Sequence, residues 1–158
     1  MSDESIAQVF QERFAEAIPY NRALGLKMER IEKDRVFARL PWKAHLVGHP
    51  ELRILHGGAI SAAMDAICGA SVFVALKQPM RIATLDLRID YLSSAEPDTD
   101  VILEASCYRV TEKVAFARGL AHQGDPADAV AAVAGTFMLF RGQGGDLGQK
   151  LREPKAGA

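Results

Sequence analysis

The chain holds only two cysteines, Cys68 and Cys107, and both sit inside apolar runs. That argues against a disulfide-stapled secreted scaffold and against a cysteine metal cluster, and it suits buried free thiols in a reducing compartment. Net charge is equally scarce: 19 Lys plus Arg against 20 Asp plus Glu leaves −1, with the basic residues scattered. No footprint for nucleic acid or for a membrane surface results, so the expected partners are small molecules or further copies of the chain. Aromatic residues make up 7%, and the single tryptophan, Trp42, follows Pro41 at a strand end, where packing explains it better than ligand binding. The opening MSDESIAQVF is acidic and lacks the basic, then apolar order of a signal peptide, so a cytoplasmic location is expected.

What is present fits one domain. A chain of 158 residues, 49% hydrophobic and 25% charged, can bury a substantial single core. Ile6, Phe10, Phe14 and Ala17 recur at helical spacing, with Pro19 closing the pattern. LGLKMERI and RVFARLPW, separated by Glu32-Lys33-Asp34, predict a hairpin, and KAHLVGHPELRIL predicts a turn-rich loop. After the long run 52–76 comes the clearest strand, in which Ala83, Leu85, Leu87, Ile89 and Tyr91 alternate with Thr84, Asp86, Arg88 and Asp90. VILEASCYRV, VAFARGLAH and AVAAVAGTFMLF add three strands, and the Gly-rich tail 142–158 has no apolar pattern and is expected to be disordered. Small residues dominate one face of the later strands, Ala115, Ala117, Gly119 and Ala121, so a bulky element can approach closely there. An antiparallel sheet wrapped around one long central helix, an α+β arrangement over residues 1–141, follows.

The run Gly57 to Leu76 is the chemically informative stretch. Its only charged residue is Asp65, and a carboxylate at mid-span would cost about 2.5–3.5 kcal/mol in a bilayer, so a buried helix of a soluble domain is the better expectation. At 100° per residue, Ile60, Met64, Ile67 and Val74 form a core stripe, while Asp65 lies roughly 140° away among Gly58, Ser61, Ala62, Gly69 and Val72. That face carries no Lys, Arg or Glu, so a ligand or another backbone is expected to cover it; a locally satisfied buried carboxylate is the plainer alternative. At the start of the helix, Gly57 and Gly58 leave the free N–H groups open to an oxyanion. Eight residues separate Gly57 from Asp65, about 12 Å along the axis, so one chain cannot bring both to one carbonyl. If both act, two copies of the chain must share the site.

LHGGAISAAMD, with the flanking strands and DYLSSA, resembles the His-Gly-Gly helix start and downstream Asp of hotdog-fold acyl-CoA thioesterases of the phenylacetic-acid-degradation type, over about residues 20–141. The resemblance implies a homodimer or dimer of dimers and hydrolysis of a coenzyme A thioester without metal or cofactor. It implies that Gly57 donates its amide to the thioester carbonyl and that Asp65 is general base or nucleophile. Thr84 matches a hydroxyl that positions water near that carboxylate, and His56 matches the motif histidine, which fixes the helix start. Where human-type members have Asn six residues before that histidine, this chain has Pro50, so the flanking His49 and Glu51 are the candidates to hold the substrate there, with Gly58 beside them.

Arg88 and Arg118 are candidate ligands for coenzyme A phosphates, whereas His45 and His122 lack metal-ligand spacing and read as surface or loop residues. Two other functions fit the same pattern: a hotdog hydratase or dehydratase using His56 with a carboxylate, and a non-catalytic acyl-CoA binder or sensor. The acyl group is not specified.

Overall fold

The computed structural model describes residue 14 and residues 17–77 and 80–140. Most of the helix expected over residues 6–17 and the whole tail 142–158 lie outside the described residues. A short helix, α1 (Pro19–Leu24), follows the bend at Ile18, with Pro19 at its first position. Proline at the first helical position sacrifices an N–H that would be unpaired anyway. Gly25, at φ 70°, closes α1 in the left-handed cap conformation.

Strands β1 (Lys27–Glu32) and β2 (Arg35–Leu40) form the predicted hairpin. The loop that follows is more ordered than its composition suggests, since β3 (Val47–His49) and β4 (Ile54–Leu55) pair as a small second sheet. Helix α2 (Gly57–Leu76) comes next, then β5 (Arg81–Tyr91), β6 (Val101–Val110), β7 (Val114–His122) and β8 (Ala129–Phe140). The main sheet has six antiparallel strands in the order β1-β2-β6-β7-β8-β5. It wraps α2, which packs chiefly on β2, β6 and β7. This is the hotdog fold.

The small residues permit that wrapping. Ala115, Ala117 and Ala121 are fully buried, and a Cβ placed on Gly119 would lie 2.7 Å from Met64 Cε and 2.4 Å from the Glu104 carbonyl oxygen. Ile60, Met64 and Ile67 are buried as the core stripe requires, and each such side chain contributes about 1.5–3 kcal/mol. Cys68 and Cys107 are free and buried. By length and composition α2 could cross a membrane, and 56% of its most apolar window is buried within the chain itself.

Strand β5 departs from strict alternation. Thr84 pairs with Phe137 and Asp86 with Thr136, so Leu85 is the extra residue of a β-bulge. On one side of it Ile82 and Thr84 face the helix with Leu139 and Phe137, and on the other Leu87, Ile89 and Tyr91 do so opposite Gly135, Val133 and Ala131. Ala83 and Leu85, which alternation would place with Leu87, are therefore turned away, and Leu85 is 52% exposed. A bulge shifts the side-chain phase by one, which is enough to exchange the two faces.

Candidate functional site

His56 is the N-cap of α2, with φ −65° and ψ 134°. Its Nδ1 accepts the Gly58 N–H at 2.8 Å, so the ring is neutral at that nitrogen and carries its proton on Nε2. The His56 N–H is bonded to the Leu46 carbonyl at 2.8 Å, and a Cβ on Gly48 would lie 2.9 Å from His56 Cα. The β3 segment is thus pressed onto the helix start. Ala59 N–H donates to the His56 carbonyl at 2.9 Å. Among the described residues, Gly57 N–H has no acceptor within the chain, and it points out at the positive end of a helix of 20 residues.

Two turns further on, Asp65 is half-buried, and its Oδ1 accepts the Thr84 hydroxyl at 2.9 Å. Its other carboxylate oxygen has no partner among the described residues. A carboxylate oriented by one hydroxyl and open on the other side can accept a proton from water or attack an electrophile. The rest of its helix face is only partly open. Gly69 and Val72 are buried, with Ile82 Cδ1 and Phe137 Cε1 each 3.7 Å from where a Gly69 Cβ would sit. The chain's own β5 and β8 therefore cover the distal half of the face, and the half from Gly58 to Asp65 remains accessible.

The expected site residues divide into groups. His56, Gly57 and Gly58 meet at the helix start, and Asp65 and Thr84 meet near its middle. His49 and Glu51 are exposed on the loop before α2, where His49 Nδ1 accepts the Leu52 N–H at 3.3 Å. That loop is clasped from behind: Trp42 Nε1 donates to the Arg53 carbonyl at 2.8 Å, and the Arg53 guanidinium binds Asp98, whose carboxyl is held below its usual range by this bond. Arg88 is not brought to the cleft, because it pairs across from Ala134 on the outer sheet face and binds Asp90 at 3.1 Å. Arg118 lies opposite the same Ala134 and stacks on Tyr108, its guanidinium carbon 5.5 Å from the ring centroid. Sequence reasoning missed the contact of Tyr91 with Ser61 at the helix start, 2.6 Å between hydroxyls. The only signal for it was a tyrosine ending the apolar face of a strand.

Comparison with known proteins identifies the family. The model of the Thioesterase superfamily matches residues 52–130, half of the chain, including α2 and β5. The chain belongs to this superfamily. The medium/long-chain acyl-CoA thioesterase YigI of Escherichia coli K12 is 33% identical over 154 residues, covering 88% of this chain and 97% of that relative. A Pseudomonas aeruginosa protein of known crystal structure is 42% identical with a TM-score of 0.76, over 84% of this chain and 98% of that one. A mutant of the phenylacetic acid degradation protein PaaI from Thermus thermophilus has a TM-score of 0.67 at 20% identity, over 78% of this chain and 100% of that one, a likeness of fold. As a superfamily member with such relatives, the chain carries support for hydrolase chemistry on acyl-CoA-like thioesters.

Proposed function

We propose that this chain hydrolyses an acyl-CoA thioester to free acid and coenzyme A, with Asp65 as the reacting carboxylate and the Gly57 N–H as the donor to the carbonyl. The observation that carries the proposal is the Thr84–Asp65 hydrogen bond on a helix face otherwise lacking charged side chains. In one form of the reaction Asp65 takes a proton from water as the water oxygen bonds to the thioester carbon. In the other, Asp65 attacks that carbon and displaces the thiolate, and water then opens the mixed anhydride. Either way the carbonyl oxygen gains negative charge opposite the Gly57 amide and the C–S bond breaks. In the first form the proton taken by Asp65 passes to the coenzyme A sulfur; in the second the thiolate leaves and takes up the proton released when water opens the anhydride.

The site is proposed to be shared between two copies, since about 12 Å of helix separates Gly57 from Asp65 within one chain. Strand β5 ends the sheet with 11 residues and an unpaired edge among the described residues, so a second copy adding there, as a dimer or within a dimer of dimers, would bring the two half-sites together. His56 fixes the helix start. His49, Glu51 and Gly58 are assigned to the thioester side of the cleft, and Arg88 could meet coenzyme A phosphates only from the outer sheet face. We place the chain with the phenylacetic-acid-degradation-type enzymes, and the named activity of its YigI relative supports a medium- or long-chain acyl group. Two free buried thiols support a cytoplasmic setting.

The test is thiol release from aryl-CoAs and C4 to C12 acyl-CoAs by the wild type and by Asp65→Asn at matched oligomeric state. Wild-type turnover with a loss of about 10² or more in the variant supports the proposal. Binding without thiol release would instead identify an acyl-CoA sensor, and water addition to an enoyl thioester would identify a hydratase.

A further inference from the structure

Two hydroxyl groups crowd the carbonyl of Gly57, and the chemistry proposed above uses neither. Tyr91, the last residue of β5, sets its Oη 2.5 Å from the Gly57 carbonyl oxygen and 2.6 Å from Ser61 Oγ. Ser61 Oγ is itself 3.1 Å from that same carbonyl oxygen. Two hydroxyl protons serve three contacts, so whichever group donates to the other, at least one proton always goes to Gly57. The peptide between Gly57 and Gly58 is therefore gripped at both ends: its carbonyl by this pair, and its N–H by His56 Nδ1 at 2.8 Å.

That grip has a task. Two consecutive glycines are the most mobile backbone a helix start can contain, and a first turn frays readily. An amide that stabilises a developing oxyanion must hold its direction, because hydrogen-bond strength falls steeply with misalignment. Contacts within the chain leave Tyr91 50% exposed, so intrachain packing alone does not fix where its ring goes. The fit is close: a Cβ on residue 57 would lie 3.1 Å from Tyr91 Oη and 3.2 Å from its Cζ, so a side chain there would push the tyrosine back by a few tenths of an ångström.

We infer that Tyr91, assisted by Ser61, is a positioning residue that holds the first turn of α2 so that the Gly57 N–H stays aimed at the thioester carbonyl. This rests on the thioesterase reading. With it, β5 serves both half-sites, orienting Asp65 through Thr84 and the helix start through Tyr91.

The experiment compares Tyr91→Phe, which keeps the ring, with the wild type in two measurements: thiol release, and amide hydrogen exchange of α2 followed by NMR. Expected are a kcat about tenfold lower with KM within about twofold, and exchange about tenfold faster at the Gly58, Ala59 and Ile60 amides while those of Ile67 and Cys68 stay unchanged. An unchanged kcat in an enzyme that does turn over overturns the inference, even if the melting temperature falls. So does a rise in KM with unaltered exchange, which would make Tyr91 a substrate contact. If the wild type hydrolyses no acyl-CoA, the thioesterase proposal fails on its own. Exchange then decides: faster first-turn exchange keeps Tyr91 as the group that orders the helix start, and unaltered exchange overturns that too.

Discussion

Thr84 donates its hydroxyl hydrogen to Asp65 Oδ1 across 2.9 Å, joining an edge strand to the middle of the central helix. The bond exists because a single extra residue, Leu85, reverses the phase of β5 between Thr84 and Asp86. Several expected outcomes stem from this contact and its surroundings.

Thr84→Val preserves shape and deletes the hydroxyl. With Asp65 no longer oriented, kcat is expected to fall about tenfold while KM stays within about twofold. Thr84→Ser is expected to recover most of the loss, and because Thr84 is exposed the melting temperature should hardly move. Steady-state thiol release and a thermal melt check both points.

His56→Ala removes the acceptor that caps Gly58 N–H. Loss of an N-cap costs about 1 kcal/mol, which in a domain of this size lowers the melting temperature by about 3–5 °C. Calorimetry measures the shift, and a melt indistinguishable from wild type would mean that the loop over His56 holds the helix start unaided.

Gly119→Ala sets a methyl group 2.4 Å from the Glu104 carbonyl oxygen and 2.7 Å from Met64 Cε. The methionine end can swing aside, but the neighbouring strand cannot. A destabilisation of about 1–3 kcal/mol is expected in urea titration, and shortening Met64 to Ala in the same chain should not restore it.

Burial, reinforced by the negative charge of Asp65, pushes the Cys68 thiol up from 9.0 to about 12. Cys68 should therefore resist thiol reagents at pH 8 in the folded protein and react at once in denaturant. Because the folded state holds this proton more tightly than the unfolded chain does, its contribution to stability is complete below about pH 9 and is lost as pH climbs toward about 12. Asp65→Asn removes the smaller of the two causes, so labelling of Cys68 should begin at a lower pH in that variant.

Much of this molecule was legible in its letters. The apolar stripe of Ile60, Met64 and Ile67 required a covering sheet, and the small residues of β7 announced which strands would supply it. His-Gly-Gly at one end of α2 and a lone Asp65 at its middle marked the two proposed half-sites, because a charge on an otherwise uncharged face and a bare helix start each stand out in one dimension. Elsewhere local signals said less than the structure does: the turn-rich composition of residues 43–55 hid the pairing of β3 with β4.

The sequence by itself determined the fold and its two chemical poles, since hydrophobic periodicity is a property of neighbouring residues along the chain. Only the tertiary structure decided which β5 side chains meet them. Strict alternation puts Thr84 with Asp86 and Arg88; the bulge at Leu85 turns Thr84 in toward Asp65 and leaves Arg88 outside with Asp90. A bulge belongs to the pairing of β5 with β8 and to the curvature needed to wrap a helix, and those are relations between distant segments that a strand's own pattern does not encode.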